Sequence, residues 1–163
     1  MLCAECLQQL QFGKLMEVYE ASNRENARKN YPRMDKNAAL FRVEQDFYTY
    51  LSECFFQSSG AYYCVLEEGT RYVSAFRVEH YLDGVLLEAL ETVEDLRNRG
   101  YGKRLLREFL SGVQVPVYSH VKKDNASSLR VHKMCGFTTL SNTATFIDGT
   151  YDENSFTLVK LPG

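Results

Sequence analysis

The sequence predicts a mixed α/β domain of the α+β kind, with a mostly antiparallel sheet of six to seven strands flanked by about four helices. Three observations predict it. Apolar residues recur every three to four positions in four stretches and at every second position in the stretches between. These stretches follow the order helix, helix, three strands, helix, strand, helix, two strands. The length, 163 residues, provides one core and is too short for two ordinary ones, so residues 1–163 are expected to form a single domain.

Residues 13–30 carry Leu15, Val18 and Tyr19 at helical spacing, and the pattern stops before Tyr31 and Pro32, since a residue preceding proline is pushed out of the helical region. A second helix spans 37–56, with Ala39, Leu40, Val43, Phe47, Tyr50, Leu51, Cys54 and Phe55 recurring at three and four residues, and ends in the turn QSSG. The segments AYYCVLEE (61–68), RYVSAFRVEHY (71–81) and VLLEALETV (85–93) read as antiparallel strands joined by the turns EEGT and LDG. The next helix buries Leu105, Leu106, Phe109 and Leu110 and closes at Gly112. VPVYSHV (115–121) is a strand whose Pro116 has no N–H for a ladder and so belongs at its start or unpaired side. A short helix over 125–135 ends at Gly136, and 137–146 with 155–161 form a last antiparallel pair. A short strand within residues 2–11 would bring the count to seven.

Nineteen Lys and Arg against 21 Asp and Glu give a formal charge of −2, so there is no general attraction to nucleic acid or an anionic membrane, and any anion site must be local. The N-terminal residues lack a basic region followed by an apolar run, and no stretch is long and apolar enough to span a bilayer. A cytoplasmic protein that binds neither nucleic acid nor membrane is the expectation. Five cysteines, an odd number, fit reduced thiols. Cys3 and Cys6 form a CxxC, but Cys54, Cys64 and Cys135 are scattered singly rather than supplying the second pair of a zinc site, so no metal is expected.

The stretch LRNRGYGKRLL (96–106) sets two glycines and four cationic side chains at a helix start. The first amides of a helix lack intrahelical partners and lie at the positive end of its dipole, and glycines let phosphate oxygens come close to them. Gly100 and Gly102 supply that access, and Arg97, Arg99, Lys103 and Arg104 add charge. The pattern GxxxxGK[ST] is absent, and GxGxxG fails because Leu105 stands where the last glycine belongs. Taken alone, these residues fit either an anion cradle or a tight strand-to-helix corner with solvated arginines.

Arg97, Asn98, Arg99, Gly100, Tyr101 and Gly102 fit [QR]-x-x-G-x-[GA], and their place after the fourth strand and before the third helix resembles the signature of the GNAT superfamily of N-acetyltransferases. Asn125 followed by LRVHKMCGF (129–137) is similar to that family's later segment, an Asn, a short helix and a terminal Gly-Phe. The resemblance implies a GNAT-like sheet splayed between the fourth and fifth strands, and acetyl-CoA as acyl donor without a metal. It places the pyrophosphate on the amides from Arg97 through Lys103, the pantetheine arm along Leu90 and Thr92, and Asn125 among the cofactor contacts. It further implies a small-molecule primary amine as acceptor, and a homodimer is compatible with it. A protein or peptide acceptor, or a CoA-binding sensor that has lost turnover, are the alternatives.

Moving acetyl from a thioester to an amine needs a neutral amine, stabilisation of charge on the carbonyl oxygen and a proton for the thiolate. A backbone amide near Leu90 to Thr92 is the oxyanion donor that the resemblance implies. For the base, Glu88 and Glu91 lie in LLEALET, and strict alternation sends them to opposite faces unless a bulge intervenes. By that alternation Glu88 shares a face with Leu86 and Leu90, where a carboxylate among apolar groups would have a raised pKa and suit proton abstraction; a solvent-facing strand glutamate is the alternative. Many members of the family carry, five residues before the phenylalanine of Gly-Phe, a tyrosine that protonates the thiolate, and here that place holds His132. His132 is therefore the candidate general acid, with a packing histidine beside Leu129 as the alternative. His80 and His120 lie in strands without an assigned role, and the mixed charges over 19–33 favour neither a cationic nor an anionic acceptor.

Overall fold

The computed structural model describes residues 1–163, in which helices cover both faces of a seven-stranded sheet. Helices α1 (Phe12–Asn30) and α2 (Lys36–Glu53) pack on one face, α3 (Tyr101–Gly112) and α4 (Ala126–Met134) on the other. The first helix buries Leu15, Met16, Val18 and Tyr19, and after them Asn23 and Ala27, one residue per turn. The second starts one residue earlier than its apolar pattern, because the Asp35 carboxylate accepts from the N–H groups of Asn37 (3.0 Å) and Ala38 (3.2 Å) and caps it. It also stops earlier, at Glu53; the expected last turn is a tighter 3-10 turn, Phe55–Gln57, that swings Phe55 into the core. No helix is long and apolar enough to cross a membrane.

The strands are β1 (Leu2–Ala4), β2 (Tyr62–Glu68), β3 (Arg71–Tyr81), β4 (Gly84–Thr92), β5 (Val117–Lys122), β6 (Thr138–Ser141), β7 (Ala144–Thr145), β8 (Tyr151–Asp152) and β9 (Ser155–Lys160). The sheet order is β1-β2-β3-β4-β5-β9-β6, antiparallel throughout except between β4 and β5. The single strand expected over 137–146 is two. The Ser141 hydroxyl accepts from the Thr143 N–H (3.1 Å), a local turn that ends β6 and sends β7 off to form a separate hairpin with β8. In β1, Cys3 faces Cys64 with the sulfurs 3.6 Å apart, and no group of three or more His, Cys, Asp or Glu side chains converges where a metal ion could be held.

The parallel pair decides where a ligand can enter. It is bonded from Val85 opposite Val117 only to Leu87 opposite Ser119. Beyond that, β4 runs on to Thr92 alongside β3 alone and β5 runs on to Lys122 alongside β9 alone, so the two strands fork. At the closed end the Pro116 carbonyl accepts from the Val85 N–H (3.0 Å), so the proline lies just before its strand and contributes an acceptor in place of the donor it lacks. Gly84 passes so close that a Cβ there would lie 2.0 Å from that carbonyl oxygen.

This crowding involves main chain, which cannot turn aside. Gly84→Ala is expected to lower the stability measured by denaturant unfolding by about 1–3 kcal/mol. Gly13→Ala is the comparison, since a Cβ there meets nothing within 4 Å, and it should be neutral or stabilising by up to about 1 kcal/mol. Equal effects at the two positions would show that strand approach does not set the requirement at Gly84.

Candidate active site

Strand β4 is irregular where it leaves β5. Arg77 of β3 is opposite Glu88 and Ala75 is opposite Glu91, so Ala89 and Leu90 together face the single residue Phe76 and form a β-bulge. Ala89 has φ +54, a left-handed conformation costly for a residue with a Cβ. Two tyrosines hold it there: Tyr63 donates to the Tyr19 hydroxyl (3.0 Å), and Tyr19 donates to the Ala89 carbonyl (2.7 Å). Burial pushes the Tyr19 phenol far above its ordinary range and the Tyr63 phenol up to about 12, so both remain protonated donors.

The extra residue changes the side-chain phase. Glu88 and Glu91 lie on the same face, toward α1 and α2, and Leu90 is on the other face, against Gly102 of α3. The regular alternation that separates the glutamates and groups Glu88 with Leu90 is therefore corrected by the bulge. Glu88 is also not surrounded by apolar groups. Its Oε2 is 3.3 Å from Arg77 Nε, each side chain is about one-fifth exposed (19% and 20%), and the guanidinium lies over the Tyr50 ring at 5.1 Å. Burial, and then the charge of Glu88, pushes the neighbouring Glu79 carboxyl above its ordinary range. Glu91 has a buried Oε2 without a hydrogen-bond partner, 3.9 Å from an Arg97 Nη. Burial pushes its pKa up against the pull of the Ser22 hydroxyl and Arg97, and Glu25 adds to the rise.

At the head of α3 the chain turns through Asn98 (φ +62) and Gly100 (φ +86), two left-handed residues bracketing Arg99. The first satisfied helical amide is that of Arg104, which donates to the Gly100 carbonyl (2.9 Å). The six preceding N–H groups, on Asn98, Arg99, Gly100, Tyr101, Gly102 and Lys103, find no acceptor in the turn or in the loop before it. A Cβ at Gly100 would meet nothing within 4 Å, so the approach is open, whereas one at Gly102 would be 3.2 Å from Thr92 Oγ1, which itself is 3.1 Å from Ser74 Oγ. Gly102 is small because the helix head rests on the end of β4. The four cations divide into pairs. Arg97 turns back to the Thr92 carbonyl (3.2 Å) and Glu91, and Arg104 pairs with Glu68, while Arg99 and Lys103 have no acidic partner.

On α4, the Asn125 side-chain oxygen accepts from the Ser128 N–H (3.1 Å) and caps the helix, leaving only its amide NH₂ to give a ligand. His132 is 1% exposed and stands edge-on to Phe137 at 4.9 Å. Its Nδ1 is 2.8 Å from the Ser128 carbonyl, which can only accept, so the neutral ring carries its hydrogen there and leaves Nε2 bare. Burial pushes its pKa down, with the Ser128 carbonyl opposing. Donation from Nε2 would require an imidazolium that this surrounding disfavours.

Two recesses lie on the α1 and α2 side. The larger, about 610 Å³, is lined by α1 and α2 alone, including Phe12, Met16, Phe41 and Tyr48, and touches no strand residue of the fork. The smaller, about 320 Å³, opens where α2 ends and is lined by Tyr50, Phe55, Glu79, Glu88, Phe146 and Asp148, among others. The second holds the carboxylates, Glu79, Glu88 and Asp148. Tyr19, Glu79 and His120, without an assigned role in the sequence, stand beside Glu88 and the bulge only because distant segments meet there, and no local signal marks them.

The sequence pattern of the Acetyltransferase (GNAT) family matches residues 15–137. No curated protein matches in sequence. Among solved structures, spermidine N-acetyltransferase from Vibrio cholerae in complex with CoA and spermine is 15% identical, covers 94% of this chain and 92% of its own, and superposes with a TM-score of 0.61. A protein from Pyrococcus horikoshii OT3 is 13% identical over 93% of this chain and 90% of its own, with a TM-score of 0.64. The ribosomal-protein-S18-alanine N-acetyltransferase from Escherichia coli is 18% identical over 73% of this chain and 76% of its own, with a TM-score of 0.51. At these identities the likeness is one of fold.

The raised carboxyl of Glu91 gives a pH test. Its folded state holds the proton more tightly than the unfolded chain, so the burial penalty is absent below the ordinary carboxylate pKa, about 4, and grows as pH rises through the raised value. Glu91→Gln should match the parent in denaturant midpoint at low pH and exceed it by a widening margin toward neutrality. A margin independent of pH would mean that the carboxyl is unperturbed.

Proposed function

Since the chain belongs to the GNAT acetyltransferase family, we propose that it moves an acetyl group from acetyl-CoA to the primary amine of a small, positively charged molecule. The observation that carries this reading is the run of six unsatisfied amides at the head of α3, beside a strand that has parted from its neighbour. Such a run suits a pyrophosphate, which offers several anionic oxygens to donors already held in place. Arg99 and Lys103 are the cations free to add to it, and the Asn125 amide has a donor to spare. The free edge of β4 beyond Leu87 is suited to take the pantetheine arm along Leu90 and Thr92 as a further strand. When bound, acetyl-CoA would supply the thioester carbonyl, and a backbone N–H near Leu90 to Thr92 would be the donor to its developing charge.

The acceptor side rests on charge. Glu79, Glu88 and Asp148 line the small recess and Arg77 is the cation beside them, so an ammonium group entering there relieves the crowding of like charges. The Vibrio enzyme named for spermidine supports an acceptor of that polycationic kind. Glu88, fixed by Arg77, is assigned to hold the ammonium at the fork. His132 is assigned to packing α4. A thiol of pKa about 8.5 leaves readily near neutral pH, so little acid assistance is required of it.

A panel of primary amines with acetyl-CoA, followed by thiol release, tests the activity. Diamines and polyamines are expected to turn over faster than neutral monoamines, with kcat/KM falling as salt rises. Tight CoA binding with no turnover on any amine would favour a sensor. For the cradle, calorimetric CoA affinity should fall about tenfold with Arg99→Ala and with Lys103→Ala, the loss of one charge-assisted contact each. Arg104→Ala, whose partner is Glu68, should stay within about twofold, the change of an exposed surface pair. Equal losses at all three would indicate diffuse attraction and no built cradle.

A further inference from the structure

Leu87 of β4 and Ser119 of β5 are the last residues paired before the fork, and the next residue on each strand is Glu88 and His120. Both point toward α1 and α2, because Leu86 and Tyr118, two positions back, pack together on that face. The His120 ring is held edge-on by Tyr81 (5.5 Å) and Phe146 (5.2 Å), and Phe146 also walls the acidic recess. Its Nδ1 is 3.2 Å from Thr157 Oγ1 on the neighbouring β9. That hydroxyl has one hydrogen and gives it to the Thr143 carbonyl at 2.7 Å, so toward the ring it can only accept. Nδ1 therefore carries the ring hydrogen. Nε2 is left as a bare acceptor, buried and without a partner in the chain.

We propose that His120 is the proton acceptor of the reaction, its Nε2 taking a proton from the acceptor's ammonium group at the fork. The proposal rests on the acetyl-transfer reading above. The proton passes from R–NH₃⁺ to Nε2, giving an imidazolium and a free amine. The freed lone pair forms the C–N bond at the thioester carbon, the C–S bond breaks, and the thiolate takes the second proton from nitrogen while the imidazolium returns its proton to water. Amide and thiol are the products, and the histidine is restored. The Thr157 hydroxyl fixes which nitrogen is bare, so it acts as a positioning group.

The surrounding groups suit the task. Burial pushes the His120 pKa below its ordinary value, so the ring is neutral at neutral pH, and the charge of Glu88 and the Thr145 carbonyl oppose the shift and favour the imidazolium once it forms. The facing groups are Glu88 on β4, Tyr81 on β3, whose hydroxyl donates to the Thr145 carbonyl (2.8 Å), Thr157 on β9 and Phe146 beyond β7. Arg77 and Glu79 lie behind Glu88.

The test is a pH–rate profile of the whole protein with its best amine, for the parent and for His120→Asn, whose side-chain amide can still donate to Thr157. The parent's kcat should fall on the acid side with a midpoint below 6.5, the ordinary imidazole value. In the variant kcat should drop about 10²- to 10⁴-fold, that limb should vanish, and the rate should climb toward the amine's own pKa while CoA affinity stays unchanged. Retention of the parental acid limb in the variant would overturn the proposal. Nitrogen NMR of histidine-labelled parent protein decides the tautomer apart from any turnover. An Nδ1–H ring with a pKa below 6.5 is expected, and an Nε2–H ring would overturn the assignment even if acetyl transfer is confirmed. A protein with the expected ring but no turnover on any amine would instead defeat the acetyl-transfer reading.

Discussion

The hydroxyl relay from Tyr63 through Tyr19 to the Ala89 carbonyl is the contact on which the rest of the site depends. It ties β2, α1 and β4 at one point and stabilises a backbone conformation that costs roughly 1–2 kcal/mol for a residue with a Cβ. Without the bulge, every side chain after Ala89 would change faces, because a strand's side-chain period is two. Leu90 would leave the head of α3 and Glu91 would leave α1. The aromatic pair thus sets which residues of β4 face the head of α3 and which face the recess.

The bulge also sorts charge. Unsatisfied N–H groups and free cations collect at the head of α3, on one side of the sheet, and carboxylates collect on the other, toward α2 and the loop after β7. Arg97 and Arg104 look from the sequence like further cradle charges, yet they neutralise Glu91 and Glu68 on either flank of the loop. What remains is a short stretch of positive potential next to an acidic hollow, joined through the fork. On the proposed reading, an anionic donor and a cationic acceptor would each be drawn to their own side and meet where the strands have separated.

Local pattern revealed most of the fold. The stripe through Leu15 and Tyr19, the alternation in 62–92 and the glycine pair at 100 and 102 each act over a few residues, and each element lies where its pattern ran. The misses follow from contacts that cross the chain or from side chains that override periodicity. Asp35 moved a helix start, and Ser141 broke a strand. The bulge could not be located because nothing in the composition of EALET marks Ala89 for a left-handed turn; its cause is two tyrosines 26 and 70 residues away. His120 is alike in this respect, since its tautomer depends on Thr157 and, through it, on Thr143.

The position of β9 has a consequence for the order in which the domain assembles. Strands β2 to β4 and helix α3 are close in the chain and form one wall of the fork among themselves. The opposing wall is different. Beyond the fork β5 has no neighbour except β9, and β6 is joined to the sheet only through β9, so both wait for the last strand in the sequence. As synthesis proceeds from the N-terminus, the glycine loop at the head of α3 can therefore mature early, while the bare imidazole acquires the hydroxyl that orients it only after residue 157 has emerged.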